Sequence, residues 1–289
     1  MRARLLTMAA AVVLLVSGCT KRPEIVYAAL AGNAERVQAL LDAGVDPNQC
    51  GTDGVTPLMV AARQDHSDVV RLLIERGADL EAINSSDYTA LLLAAARGNV
   101  SSVRLLVEAG AELDRTDGAF GQTPLMMTAK CDWLLAEEET SAEVMKLLLE
   151  AGADVDQRDP WGQTALMHAA RASGAGVRTL AFLVQHGADP HARDWFGWSA
   201  LMFAAHRGSL EKTRYLADLG CDIEASDDEA RTALHWSARK GHFRIAKFLL
   251  NAGADPNVAD RRGRTPLDLA SKAGSVSLVE LLRESGARD

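Results

Sequence analysis

The chain has 289 residues, with 31 Lys+Arg against 39 Asp+Glu, a net charge of −8 and a charged fraction of 24%. Nearly half the residues are hydrophobic, which excludes wholesale disorder, and an acidic chain is a poor nonspecific ligand for nucleic acid. Its 4 cysteines include no CxxC pair, which removes zinc-finger and thioredoxin-like readings.

Arg2 and Arg4 precede an apolar run from Leu5 to Val16, followed by Ser17-Gly18-Cys19. The run is too short to span a bilayer as a helix, which takes about 20 residues. Basic, then apolar, then small is the layout of a secretory signal. Val16-Ser17-Gly18-Cys19 resembles a bacterial lipobox, and the resemblance implies cleavage before Cys19 and lipidation of its thiol. Thr20, not Asp, follows the cysteine, which under enteric-type sorting implies the outer membrane, facing the periplasm. The plain alternative is an ordinary cleaved signal with an incidental cysteine. The expected division is a signal peptide over 1–18, a lipidated cysteine and short tether over 19–22, and a repeat domain over 23–289.

From there the sequence repeats, and the period predicts the elements. Thr56-Pro57-Leu58-Met59, Thr89-Ala90-Leu91-Leu92, Thr123-Pro124-Leu125-Met126, Thr164-Ala165-Leu166-Met167, Ser199-Ala200-Leu201-Met202, Thr232-Ala233-Leu234-His235 and Thr265-Pro266-Leu267-Asp268 recur at intervals of 33, 34, 41, 35, 33 and 33. Pro23 with Ala28-Ala29 fits the same register one period earlier. Repeat starts therefore lie near 23, 56, 89, 123, 164, 199, 232 and 265. In each unit Leu, Ala and Val recur at spacings of 3 and 4 on both sides of a polar or Gly turn, which predicts two short helices. A glycine such as Gly77, Gly110 or Gly253 then stops the second helix. An Asp/Asn/Gly-rich hairpin leads to the next Thr-Pro-Leu, whose proline suits the first helical position.

Thr-Pro-Leu-x-x-Ala-Ala followed by Leu-Leu-x-x-Gly-Ala-Asp, at a 33-residue period, resembles the ankyrin repeat. That resemblance implies an all-α solenoid, an ankyrin-repeat stack of about eight helix-turn-helix units with β-hairpin fingers. Units of this kind contact only their neighbours and share one continuous core. The signature's histidine survives only as His235, while Met59, Leu92, Met126, Met167 and Met202 replace it; those repeats are expected to lack its hydrogen bond between loops. Helix layers about 8–10 Å apart put Cys50, Cys131 and Cys221 beyond the roughly 7 Å Cα limit for a bridge, so free thiols are expected.

No GxSxG, GxxxxGK[ST], HExxH or GxGxxG occurs, and no histidine pair has metal-ligand spacing on one helix. No catalytic residue, metal or cofactor is expected. An enzyme acting on envelope polymers would need paired carboxylates in a cleft, whereas the dense acids, Glu137 to Glu139 and Asp227 to Glu229, read as solvated runs.

The ankyrin resemblance assigns binding to the finger tips and the exposed end of the inner helix. Seven or eight residues after each Thr/Ser stand Arg63, Arg97, Lys130, Arg171, Arg207, Arg239 with Lys240, and Lys272. Two readings fit: cations complementing helix C-termini, or a basic stripe that steers an acidic partner. The early tips are polar (Thr52-Asp53, Ser85-Ser86), the middle ones carry Phe120, Trp161, Trp195, Phe196 and Trp198, and the late ones are acidic and then basic (Arg261, Arg262, Arg264). The aromatics fit either packing between tips or binding anchors. The third full repeat carries eight extra residues that include Trp133. Thr140 and Glu143 have capping-box spacing, which predicts that the insertion prolongs the first helix and its turn; Ser173-Gly174-Ala175-Gly176 would leave room for Trp133 and Leu134. Decoration and partner contact both fit the insertion.

The expected function is a noncatalytic, lipid-anchored periplasmic protein, monomeric by itself, that binds a protein partner and no nucleic acid. Bacterial ankyrin-repeat lipoproteins resemble neutralisers of periplasm-active toxins, including type VI secretion lipases, which implies an immunity role. The alternative is a periplasmic scaffold in envelope or oxidative-stress defence.

Overall fold

A computed structural model describes residues 22–130 and 138–288. Sixteen helices follow in pairs: α1 (Glu24–Leu30) and α2 (Ala34–Asp42), α3 (Pro57–Arg63) and α4 (Ser67–Glu75), α5 (Ala90–Ala95) and α6 (Val100–Glu108), α7 (Pro124–Lys130) and α8 (Glu138–Glu150), α9 (Ala165–Arg171) and α10 (Val177–Gln185), α11 (Ala200–Arg207) and α12 (Leu210–Asp218), α13 (Ala233–Lys240) and α14 (Phe243–Asn251), α15 (Pro266–Lys272) and α16 (Val276–Glu284). Each helix packs on its own partner and on the equivalent helices one repeat away. The odd-numbered helices form an inner layer and the even-numbered ones an outer layer.

At most inner helices the recurring Thr/Ser hydroxyl accepts an otherwise orphaned backbone N–H, whereas Pro23 precedes α1 and the Thr164 hydroxyl ahead of α9 makes no cap bond. Thr56 accepts from Met59 at 3.3 Å, Thr123 from Met126 at 3.2 Å and Ser199 from Met202 at 3.3 Å. Inner helices are buried almost all round, as Leu58 to Ala62 are in α3. Outer helices bury one stripe only, such as Val69, Val70 and Leu73 in α4. One apolar cluster runs from Ile25 to Leu282 through every repeat, as a stack of neighbour contacts requires.

Two expectations need correction. The fingers are tight turns rather than two-stranded hairpins, with Arg193 and Ser199 forming an isolated antiparallel bridge. Each finger closes on a side chain instead, as described below. Second, Thr140 lies inside α8 and does not cap it; the stretch between α7 and α8, on which the expected prolongation of the first helix falls, lies outside the described residues. Trp133 and Leu134 lie outside the described residues. One helix end departs from its neighbours: α9 ends without a left-handed turn, and Ala172 is extended, with ψ 140°. The buried Lys212 from the next repeat fills the gap, its Nζ donating to the carbonyls of Ala169 (2.8 Å) and Ala172 (2.5 Å). Cys50 and Cys221 are free, the first exposed and the second buried; Cys131 lies outside the described residues.

Candidate partner-binding surface

Five fingers are built on a buried aspartate. Asp117, Asp159, Asp194, Asp227 and Asp260 are all under 7% exposed. One carboxylate oxygen accepts two backbone N–H groups of the turn. For Asp159 the donors are Trp161 and Gln163, both at 2.9 Å; for Asp194 they are Phe196 and Trp198, at 2.9 and 2.8 Å. Asp227 and Asp260 repeat the pattern on Glu229 and Arg231, and on Arg262 and Arg264. The second oxygen is held differently in each finger: by His168 Nε2 at 2.9 Å for Asp159, by Trp236 Nε1 and Arg231 Nε for Asp227, and by Arg264 for Asp260. Asp227 is therefore a buried clamp and not part of a solvated acidic run.

Burial pushes the carboxyls of Asp159, Asp194 and Asp260 toward the neutral form, and the hydrogen bonds oppose it. At Asp159 and Asp260 the bonds win, and both lie below the usual carboxylate range. At Asp194 burial wins and the group is raised, since its second oxygen receives only Gln163 at 3.5 Å. His168 is lowered by burial and by the cations Lys130 and Arg171, despite Asp159. The neutral ring donates through Nε2 to the carboxylate, which leaves the buried Nδ1 without a hydrogen-bond partner.

The clamps fix the finger backbone, and four of the predicted aromatics project from it. Phe120, Trp161, Trp195 and Phe196 are 52, 41, 61 and 56% exposed. Phe120 and Trp161 lie 6.4 Å apart between ring centroids. Trp195 donates its backbone N–H to the Trp161 carbonyl at 3.0 Å and lies flat on Gly162, where a Cβ would come within 2.6 Å of the ring; Gly162 also has φ +79°, so two independent constraints require glycine there. The Arg158 guanidinium sits 5.1 Å above Trp195. The result is a row of apolar rings across three successive fingers.

Trp198 does not join that row. It is half-buried, 4.2 Å from Trp236, 4.8 Å from Phe203 and 5.5 Å from His206 between centroids, so its role is at least partly packing. Phe203 and Trp236 were not singled out from the sequence, although both stand four residues after the repeat's Ser/Thr, a register shared with Leu93, Met127, His168 and Leu269. Those four line cavities between fingers and inner helices, so the register marks the floor of the groove.

The cations divide as well. Arg207 Nε donates to the Arg171 carbonyl at 2.9 Å, capping α9 from the neighbouring repeat. Cations also border the groove: Arg63, Arg97 and Lys130 around a cavity of about 270 Å³ with Tyr88 and Phe120, Lys130, Arg171 and the same Arg207 around one of about 280 Å³, and Arg239 and Lys272 at the C-terminal end. Their field is felt by His206, which burial, then Lys240, Arg207 and Arg239, push down to about 4. His235 keeps the inter-loop bond that the methionine repeats lose, with Nε2 3.3 Å from the Arg264 carbonyl. Among the described residues no group of His, Cys, Asp and Glu is placed to hold a metal ion, and no helix is long and apolar enough to cross a membrane.

A family model described as "Ankyrin repeats (3 copies)" matches residues 25–117, 116–194, 133–227, 172–260 and 219–289. No curated protein matches the chain significantly.

Proposed function

The chain belongs to the ankyrin-repeat family, and from that premise we propose that it is a noncatalytic, lipid-anchored periplasmic protein whose fingers and groove capture one protein partner. The row Phe120, Trp161, Trp195 and Phe196 carries this reading. Exposed rings on a rigid backbone are poor solubility design and good anchors, because Trp, Tyr and Arg dominate interface energetics and contiguous apolar patches mark interaction sites. The partner we favour is a secreted toxin active in the same compartment, neutralised by occlusion, as for an immunity protein. An array of fixed rings beside a basic groove suits blocking an active-site rim.

Anchoring rests on Val16 to Cys19 and on the short tether that follows. At about 3.5 Å per residue, the residues between Cys19 and α1 reach roughly 14 Å, so the first repeat would sit against the head groups. Cys19→Ala should abolish labelled-palmitate incorporation and membrane fractionation; unchanged fractionation, with no label in the wild type, overturns the anchor.

The binding reading is tested by measuring partner affinity and unfolding midpoint together. Trp161→Ala and Trp195→Ala should each weaken binding about thirtyfold, the size of a 2 kcal/mol hot spot, and leave the midpoint nearly unmoved. Trp198→Ala should do the reverse. Unchanged affinity in both finger variants overturns the assignment.

A further inference from the structure

At the C-terminal end of the groove Arg231, Arg239, Arg262, Arg264 and Lys272 surround a cavity of about 410 Å³ floored by Leu269. The site is prebuilt. Arg231 Nε donates to Asp227 at 3.0 Å, and Arg264 grips Asp260 through Nε at 2.9 Å and Nη2 at 2.6 Å. The buried Trp236 is fixed through Nε1 on Asp227 at 3.2 Å, and the guanidinium carbons of Arg231 and Arg239 lie 4.4 and 5.2 Å from its ring. One indole thus orients two arginines over the cavity. Arg239, Arg262 and Lys272 have no carboxylate partner among the described residues. Asp227 and Asp260 pair with Arg231 and Arg264, on the latter of which Glu229 also acts, and Arg239, Arg262 and Lys272 are left without an ion pair among the described residues, on a chain that is acidic overall.

We propose that this cavity receives an acidic segment of the protein partner, two or three Asp or Glu side chains presented along an extended stretch. The inference rests on the protein-binding reading above and adds the chemistry of the bound segment. Carboxylates are the favoured anion because the site already displays how it takes them: Asp260 Oδ2 accepts from both Nε and Nη2 of Arg264, a charge-assisted pair of the kind guanidinium makes with carboxylates. A lone phosphate would leave most of the cavity empty. Duplex nucleic acid needs cations spaced along a backbone, whereas the exposed acid Asp228 stands on the neighbouring finger. Leu269 and the indole edge suit the aliphatic stems between charges.

The test is calorimetry at low salt with a capped hexapeptide, Glu-Asp-Glu-Leu-Glu-Asp. Saturable binding is expected, weakened at least tenfold by Arg239→Glu with Lys272→Glu and also by Arg262→Glu, whose exposed position on its finger spares the fold. Arg71→Glu with Lys247→Glu, both exposed on the outer helices α4 and α14, makes the same change in net charge away from the groove and should leave binding within twofold. Excess inorganic phosphate should not displace the peptide, and a 12-base-pair duplex should bind no better than to the Arg239→Glu/Lys272→Glu variant. No peptide binding, equal weakening by both charge-reversed pairs, displacement by phosphate, or preferential duplex binding overturns the proposal. The readouts separate: losing the peptide result while Trp161→Ala still lowers partner affinity removes only the acidic segment, and the opposite pattern removes only the aromatic anchors.

Discussion

Replacing Asp159 by alanine should damage the middle of the solenoid more than its position in a surface finger would suggest, because its carboxylate is buried. The carboxylate accepts from the Gln163 and Trp161 amides at 2.9 Å and from His168 Nε2 at 2.9 Å. Alanine leaves the Gln163 amide and the His168 N–H buried without an acceptor, beside an Nδ1 that already has none. At about 1–3 kcal/mol for each orphaned donor, less the relief of no longer burying a charge, the loss is about 3 kcal/mol. Asp53 in the first finger is the control: its carboxylate is 35% exposed, accepts from Val55 at 3.3 Å and pairs with Arg22, so water replaces it and Asp53→Ala should cost under about 1 kcal/mol. Asp159→Asn, which keeps an acceptor, should fall between. Urea midpoints at constant m report the difference. Equal shifts for Asp159→Ala and Asp53→Ala, or a loss below about 1 kcal/mol at Asp159, would refute the clamp.

Three further outcomes follow from named groups. Lys212→Met should cost about 2 kcal/mol in urea, because the Ala169 and Ala172 carbonyls lose their buried donor; a neutral effect means the α9 terminus finds another cap. His206, pushed down to about 4 in the folded chain, stays neutral while the unfolded chain protonates near 6.5. Stability is therefore complete above pH 6.5 and falls as pH drops toward 4, by at most about 3 kcal/mol from this group; His168 and His235, also lowered, act with the same sign. His206→Gln should flatten that fall in part, and an unchanged pH profile contradicts the assignment. Cys221, pushed up to about 11 by burial and then by Asp189, donates to the Pro190 carbonyl at 3.3 Å. At pH 8 iodoacetamide should label Cys50 in the folded chain and Cys221 only after unfolding, as read by peptide mass mapping.

The inner helices were legible because most are announced twice, by a Thr/Ser that caps them and by apolar spacing that buries them. The aspartate clamp was equally periodic, five or six residues before each of the later Thr/Ser positions, but Asp227 sits beside Asp228 and Glu229 and reads as a charged run. What escaped were contacts between repeats. Trp198 resembles the other finger aromatics until Trp236, thirty-eight residues later, is placed beneath it. The two extra residues near Gly174 signal an altered turn, yet nothing local says that a lysine from the following outer helix will cap it. The basic end of the groove was visible only as two separate cation patterns, one on a finger and one on the inner helices. The fold brings them around one indole.

The central claim, that the fingers carry the partner, is tested most directly by photo-crosslinking in the cells that make the protein. A benzophenone amino acid placed at Trp161 or Trp195 should yield a single discrete adduct, and the same group at Lys247, exposed on the outer helix α14, should yield none. Adducts at Lys247 with none at either finger would move the binding surface to the opposite face and contradict the account.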